Sequence, residues 1–292
     1  MSRVVGRFDG FSTSGQGVER TRRRWKSRRD AEAVASLHSV RMLSVVLPVY
    51  NEEATIEEVL RNVLKVSLPT GMQLQLVVVE SNSTDRTRQF VLSHEFDPRV
   101  SIVLQDRPRG KGNAVRAGLR QVRGDVVLIQ DGDLEYSVDD YAVLLEPIIA
   151  GEADFVLGCR HQRGQPMREF RGARWTSAVF NAAHWIFAAL FNLVYATKLR
   201  DPFTMYKVFR VECIDGLDFV SDRFDFDWEL VAKLIRRGYR PVEVPVKYRS
   251  RGFDAGKKVR MIRDPLTWLV AVVRFRFAHV PERVARDLSV DE

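Results

Sequence analysis

Two aspartates separated by one glycine, Asp131-Gly132-Asp133, follow Gln130 at the end of the run Asp125-Val126-Val127-Leu128-Ile129. Carboxylates paired at the end of a buried strand, with a residue between them that lets the loop turn sharply, converge on one hard cation and leave its other positions to phosphate oxygens. Glu135 is spaced to add a third ligand, direct or through water. The chemistry that fits is neutralisation of a departing diphosphate, on which negative charge grows as the bond to it breaks. Taken alone, such residues are common in turns; the position after a strand is what marks them.

Other groups point the same way. Arg107-Pro108-Arg109-Gly110-Lys111-Gly112-Asn113 opens a predicted helix, where backbone N–H groups and the Lys111 ammonium can face phosphate, although without Walker A spacing. Pro48-Val49-Tyr50-Asn51-Glu52 offers a flat ring at Tyr50 and a carboxylate at Glu52, suited to a base and its edge. Glu80 either accepts hydrogen bonds from a ribose or base, or caps the turn at 83–88.

The elements that must position these groups show one recurring pattern. Apolar run 43–48 stops at Pro48 and gives way to a helix-like stretch at 55–65; run 75–79 precedes 84–94, run 100–104 precedes 112–121, and run 125–129 follows. This βαβαβαβ order predicts an α/β fold with a parallel, doubly wound sheet. Ligands of such sheets bind beyond the carboxyl ends of the strands, which selects 48–53, 80–85, 109–113 and 130–136. Further on, 154–158 and 242–248 read as strands and 224–237 as a helix. Segment 175–197 carries no charge and is long enough to span a bilayer, but Thr176, Ser177, Asn181, His184 and Asn192 interrupt it. It is expected to be a buried or substrate-covering helix, with a helix lying in the membrane interface as the alternative. Segment 265–277, apolar with Trp268 and flanked by Arg263, Arg274 and Arg276, suits an interfacial or partner-facing helix, or one packed on the domain.

A chain of 292 residues, 45% hydrophobic and 29% charged, buries a full core. The expected division is a disordered basic extension over 1–41, a catalytic domain over 42–260, and a C-terminal amphipathic helix and tail over 261–292. The formal charge is +8, of which 1–41 carries +6, with ten Lys/Arg against four Asp/Glu. The remaining 251 residues are nearly balanced, so a nucleic-acid partner is not expected, and the tail reads as a solvated extension, with contact to anionic lipid head groups as the alternative. Cys159 and Cys213 have no metal-like spacing, and no apolar stretch follows the N-terminal charges. Both readings favour a cytoplasmic protein, peripheral on the cytoplasmic membrane face.

In order, Val46-Leu47-Pro48-Val49-Tyr50-Asn51-Glu52-Glu53, Glu80-Ser81-Asn82-Ser83-Thr84-Asp85, Gly110-Lys111-Gly112 and Asp131-Gly132-Asp133-Leu134-Glu135 resemble a family-2 glycosyltransferase of the GT-A fold. More narrowly, 42–260 resembles polyprenyl-phosphate glycosyltransferases of the dolichyl-phosphate mannose synthase type. The resemblance implies a Rossmann-like, mostly parallel central sheet with helices on both faces, and inverting transfer from a nucleotide sugar (GDP-mannose or a UDP-hexose). It also implies Mg²⁺ or Mn²⁺ on Asp131 and Asp133, with Pro48, Tyr50, Glu52 and Glu80 at nucleotide-contacting positions. Glu80-Ser81 stands where the family commonly has two aspartates, and Asn82 where it has glycine. Arg160 matches the arginine after the family's small-residue turn, Arg174 with Ser177 resembles its acceptor-phosphate contacts, and Asp201-Pro202-Phe203-Thr204 and Arg251 with Gly256-Lys257-Lys258 resemble its acceptor-side and closing-loop motifs.

The acceptor decides the rest. A lipid phosphate is already ionised and needs positioning, whereas a hydroxyl on a glycan or small molecule needs a general base, for which Asp227 is the first candidate and Asp201 the second. A non-catalytic membrane-surface adaptor on the same scaffold is the reading from another class.

Overall fold

The computed structural model describes residues 40–161, 174–250 and 263–282. Strand β1 (Met42–Val49) is almost wholly buried, as its unbroken apolar run requires of a strand covered on both faces. Helix α1 (Ile56–Lys65) buries Ile56, Val59, Leu60 and Val63, the i, i+3, i+4, i+7 stripe that its sequence spells. Strands β2 (Gln73–Glu80), β3 (Val100–Leu104) and β4 (Val126–Ile129) follow, separated by α2 (Thr87–Leu92) and α3 (Lys111–Leu119). β1 pairs in parallel with β2 from Met42–Gln73 to Val49–Glu80, and with β4 up to Val46–Ile129. The loops after all three strands therefore open on one edge.

The second half departs from the simple parallel pattern. After α4 (Tyr141–Ile149) and β5 (Phe155–Cys159), the chain forms the long α5 (Arg174–Tyr195) and then β6 (Lys207–Arg210). β6 runs antiparallel to both of its neighbours and lies between β4 and β5. Helix α6 (Phe226–Arg236), β7 (Val242–Pro245) and α7 (Arg263–Phe277) complete the described elements. The seven-stranded order is β3-β2-β1-β4-β6-β5-β7, a mostly parallel mixed sheet. Expected strand 242–248 is regular only to Pro245, though Tyr248 returns to bridge Tyr136.

Neither β6 nor α4 stands out in the sequence. β6 begins and ends with charges that are nonetheless buried, and each has a partner: Lys207 bonds Asp227 at 2.9 Å, and Arg210 lies 3.5 Å from Asp154. α4 is nine residues long with Pro147 inside it, which blurs a helical signature.

One core packs α1 and α4 against the sheet, and another packs α6 and α7. Ala271, Val272 and Phe275 of α7 are buried in the latter, beside Phe191 of α5. α5 is not a core helix: among the described residues it is the helix long and apolar enough to cross a membrane, yet only 22% of that stretch is buried. Its inner residues line the cavity described next, and its outer face exposes Trp175, Trp185, Ile186 and Leu193.

Candidate active site

A cavity of about 780 Å³ opens where the parallel strands end. Pro48, Tyr50 and Glu52 reach it from the loop after β1, which Asn51 laces to the loop after β2: Asn51 N donates to Ser83 Oγ (3.0 Å), and Thr84 N to Asn51 Oδ1 (2.8 Å). Glu52 N donates to Thr87 Oγ1 (2.8 Å), so the loop is held at both ends. Glu80 does not reach the cavity. Its fully buried carboxylate accepts the N–H groups of Asn82 (3.2 Å) and Ser83 (2.6 Å) and pairs with Arg88, so it stabilises its own turn. The residue of this loop that lines the cavity is Ser81. Asn82 adopts φ +57°, a left-handed conformation that asparagine tolerates better than most residues, so it can stand where the family has glycine.

Asp131, Gly132, Asp133 and Glu135 all line the cavity. The loop hangs from Gln130, whose Oε1 accepts from the buried hydroxyls of Tyr141 (3.0 Å) and Tyr206 (2.8 Å) and whose Nε2 donates to the Asp131 carbonyl (3.0 Å). Thr55 Oγ1 donates to the Gly132 carbonyl at 2.8 Å and ties the loop to the start of α1. The need for glycine here is one of space, not of a turn. A Cβ on Gly132 would lie 3.0 Å from Val49 and 3.4 Å from Glu52, whereas φ is not positive. The Glu135 carboxylate accepts from Tyr248 at 2.9 Å, and its backbone N–H donates to Asp133 Oδ1 at 3.0 Å.

Lys111 enters from the start of α3. Its Nζ donates to Asp131 Oδ1 and reaches Met205 Sδ at 3.1 Å. Burial works against the ammonium, but the carboxylates of Asp131, Asp227 and Asp133 outweigh it and raise its pKa. Hard carboxylate oxygens lining one cavity, with an ammonium among them, have the chemistry of a Mg²⁺ or Mn²⁺ site, with Asp131 and Asp133 as the residues that would hold the ion and Glu135 beside them.

Another part of the lining is built differently. Arg160 is buried and bidentate with Asp201, through Nε to Oδ2 and a terminal nitrogen to Oδ1, both at 2.7 Å. Burial raises the Asp201 pKa, but the Arg160 guanidinium overrides it and holds the carboxyl well below the usual range. Asp201 is thereby committed to Arg160 and is not an available base. Asp227 lines the cavity and pairs with the fully buried Lys207, whose pKa burial pushes down against the pull of Asp227. Ser177 sits in the first turn of α5, partly buried, and Arg174 is placed by its backbone alone as the first residue of that helix. Arg251 and Gly256-Lys257-Lys258 lie outside the described residues, as does the extension up to residue 39.

Sequence reasoning missed Lys207, hidden in a strand, and the aromatic wall, whose members lie far apart in the chain. Phe203 stacks on Trp228 with centroids 3.7 Å apart, and Trp228 on Trp268 at 6.1 Å. Phe180 and Phe187 of α5 extend the same surface. His161, His184 and Asp201 also bring three metal-type donor atoms within 4.8 Å of one another. Asp201 is already held twice by Arg160, however, and the Arg200 carbonyl accepts from His184 Nε2 at 3.1 Å, so the cluster buttresses the wall.

Residues 44–215 match the family model described as glycosyl transferase family 2. The chain belongs to glycosyltransferase family 2. Among curated relatives, this family-2 chain is 30% identical to the glycosyltransferase AglD of Haloferax volcanii over 85% of its own length and 40% of AglD. It is 26% identical to undecaprenyl-phosphate 4-deoxy-4-formamido-L-arabinose transferase of Edwardsiella ictaluri (77% of this chain, 65% of that one). Against dolichol-phosphate mannosyltransferase of Pyrococcus furiosus the figures are 27% identity, 72% and 58%. The chain thus spans between two fifths and two thirds of these relatives. Among solved structures, the fold matches glucosyl-3-phosphoglycerate synthase of Mycobacterium tuberculosis with TM-score 0.61 and 24% identity over 86% of this chain and 85% of that one. The GT-A architecture expected of the family-2 sequence is therefore present.

Proposed function

We propose that this family-2 enzyme transfers a sugar, with inversion, from a nucleoside diphosphate to a polyprenyl phosphate. The observation that carries the proposal is a single cavity lined by two unlike sets of groups: carboxylates with Lys111, and the aromatic side chains of Phe180, Phe187, Phe203, Trp228 and Trp268. A nucleotide sugar fits the first set and an apolar chain bearing a phosphate fits the second.

Tyr50 and Glu52 bracket the base at the end of β1, and Ser81 joins them. A divalent cation on Asp131 and Asp133 supplies neutralisation of the leaving diphosphate. Lys111, at the helix start, adds a second positive charge on the same side. The acceptor oxygen is ionised, so the protein contributes orientation: the aromatic wall aligns the chain, and Arg160, fixed by Asp201, presents a positive field without swinging. The Pyrococcus and Edwardsiella relatives are named for polyprenyl-type phosphates, and the Mycobacterium synthase is solved with Mn²⁺ and UDP and with Mg²⁺ and UDP, which supports the reading.

Transfer to a hydroxyl is the second reading, because Asp227 lines the cavity where a base would stand. Its ion pair with Lys207 favours the phosphate acceptor, since a base must release its partner to take a proton. We also place the protein on the cytoplasmic membrane surface, supported by the apolar residues exposed on α5 and by Leu269, Val270, Val273 and Phe277 beside Arg274 and Arg276 on α7.

A mass-spectrometric screen of GDP- and UDP-sugars against polyprenyl phosphates and hydroxyl acceptors, with Mg²⁺ or Mn²⁺, tests the proposal. Glycosyl-phospholipid products are expected; products on hydroxyls alone would favour the second reading, and no turnover of any donor by folded protein would favour the adaptor.

A further inference from the structure

We infer that Lys111 is a tethered counter-ion: its ammonium occupies Asp131 in the metal-free enzyme, yields that carboxylate to the divalent cation, and moves to the donor's diphosphate, so that metal and nucleotide binding reinforce each other. This rests on the metal-dependent reading given above.

Lys111 is aimed by an unusual clamp. Gly110 has φ +107°, and a Cβ there would lie 2.4 Å from the Asp222 carbonyl; one on Gly112 would lie 2.6 Å from Phe226 Cβ. Asn113 N donates to the Asp222 carbonyl at 3.0 Å, and Asn113 Nδ2 to Asp222 Oδ1 at 3.1 Å. The two glycines let the start of α3 press against 221–226, and the lysine between them projects across the cavity to the end of β4. Its ammonium has one strong partner there, the Asp131 carboxylate, and one weak one, the Met205 thioether. Lys207, the other buried ammonium nearby, is paired with Asp227.

An ammonium and a divalent cation on the same carboxylate repel each other and compete for its charge, even though its two oxygens offer separate lone pairs. Metal binding without nucleotide must therefore weaken the Lys111–Asp131 pair and leave the ammonium with the Met205 thioether and the longer-range field of Asp227. A bound diphosphate provides the replacement acceptor. The energetic consequence is positive coupling, which linkage makes reciprocal and which typically falls between about 5- and 150-fold.

The test is Mn²⁺ binding by the full chain, read from the electron paramagnetic resonance signal of free Mn²⁺, with and without UDP or GDP. Wild type is expected to bind Mn²⁺ weakly alone and about tenfold more tightly with nucleotide. Lys111→Met and Lys111→Gln should bind Mn²⁺ alone about tenfold more tightly than wild type and gain less from nucleotide than wild type does, because direct ligation of the metal by phosphate remains. Equal or weaker Mn²⁺ binding by both variants overturns the inference while leaving the metal site standing. If wild type binds no Mn²⁺ even with nucleotide, the metal reading falls and the inference with it. Should the variants misfold, acetylation of Lys111 in wild type, followed by peptide mass spectrometry, decides: labelling must rise when Mn²⁺ is added alone, and unchanged labelling overturns the inference.

Discussion

In the half of the molecule built on β1–β4, the cavity-facing charges of Glu52, Asp131 and Asp133 stand on loops at strand ends, and Lys111 is the ammonium set among them. In the half built on β5–β7, the charges are buried and matched within the protein: Arg160 with Asp201, Lys207 with Asp227, Lys233 with Glu229. The difference separates charges carried on loops at strand ends, where a ligand can reach them, from charges locked in buried ion pairs.

The sharpest way to break this comparison is to remove charge from the first half. Asp131→Ala with Asp133→Ala should lower kcat/KM about ten-thousand-fold, roughly 5 kcal/mol of transition-state stabilisation, with little change in thermal midpoint. A large fall in the midpoint instead would mean that these carboxylates belong to the structural class. The converse experiment is Lys207→Met. It strands Asp227 without its cation and should cost about 3–5 kcal/mol of stability by urea unfolding, with the double variant Lys207→Met, Asp227→Leu recovering much of it.

His184 sharpens the comparison through pH. Burial, opposed by Asp201 and aided by Arg160, lowers its pKa from 6.5 to about 4. Between those values the unfolded chain binds the proton that the native state refuses, so stability falls as pH drops from 6.5 towards 4, by roughly 3 kcal/mol in all. His184→Gln should flatten that part of the profile, and an unchanged slope would place the titration elsewhere. The smallest effect is expected at the apolar wall. Trp268→Ala should raise KM for a long polyprenyl phosphate about tenfold while leaving donor hydrolysis unchanged.

The same division explains what was legible in the sequence. The parallel strands announce themselves because strands covered on both faces must be continuously apolar, and the carboxyl-end rule then carries Tyr50, Glu52, Lys111 and the aspartates to one place. Buried ion pairs reverse that logic: Lys207 and Arg210 bound β6 with charges, and their partners Asp227 and Asp154 are not adjacent in the chain, so no continuous apolar run marks the strand. Glu80 was ambiguous for a local reason, since the same carboxylate at a strand end serves a ligand or the next turn, and only the positions of Ser83 and Arg88 decide. The aromatic wall had only a partial signature, in Trp268 and in the expectation that 175–197 covers substrate, because it is assembled from α5, α6, α7 and the loop before β6.

The place of β6 in the sheet also sets a timetable for synthesis. β5 leaves the ribosome about fifty residues before β6, yet it cannot join β4, because the strand that separates them has not been made. The clamp on Gly110 and Gly112 waits longer still, for 221–226. A nascent chain can therefore assemble the three-stranded β1–β2–β3 lobe early, but its phosphate-side lysine stays unaimed until most of the enzyme exists. Completion of the cavity is in this way deferred until the late elements that line it are in place.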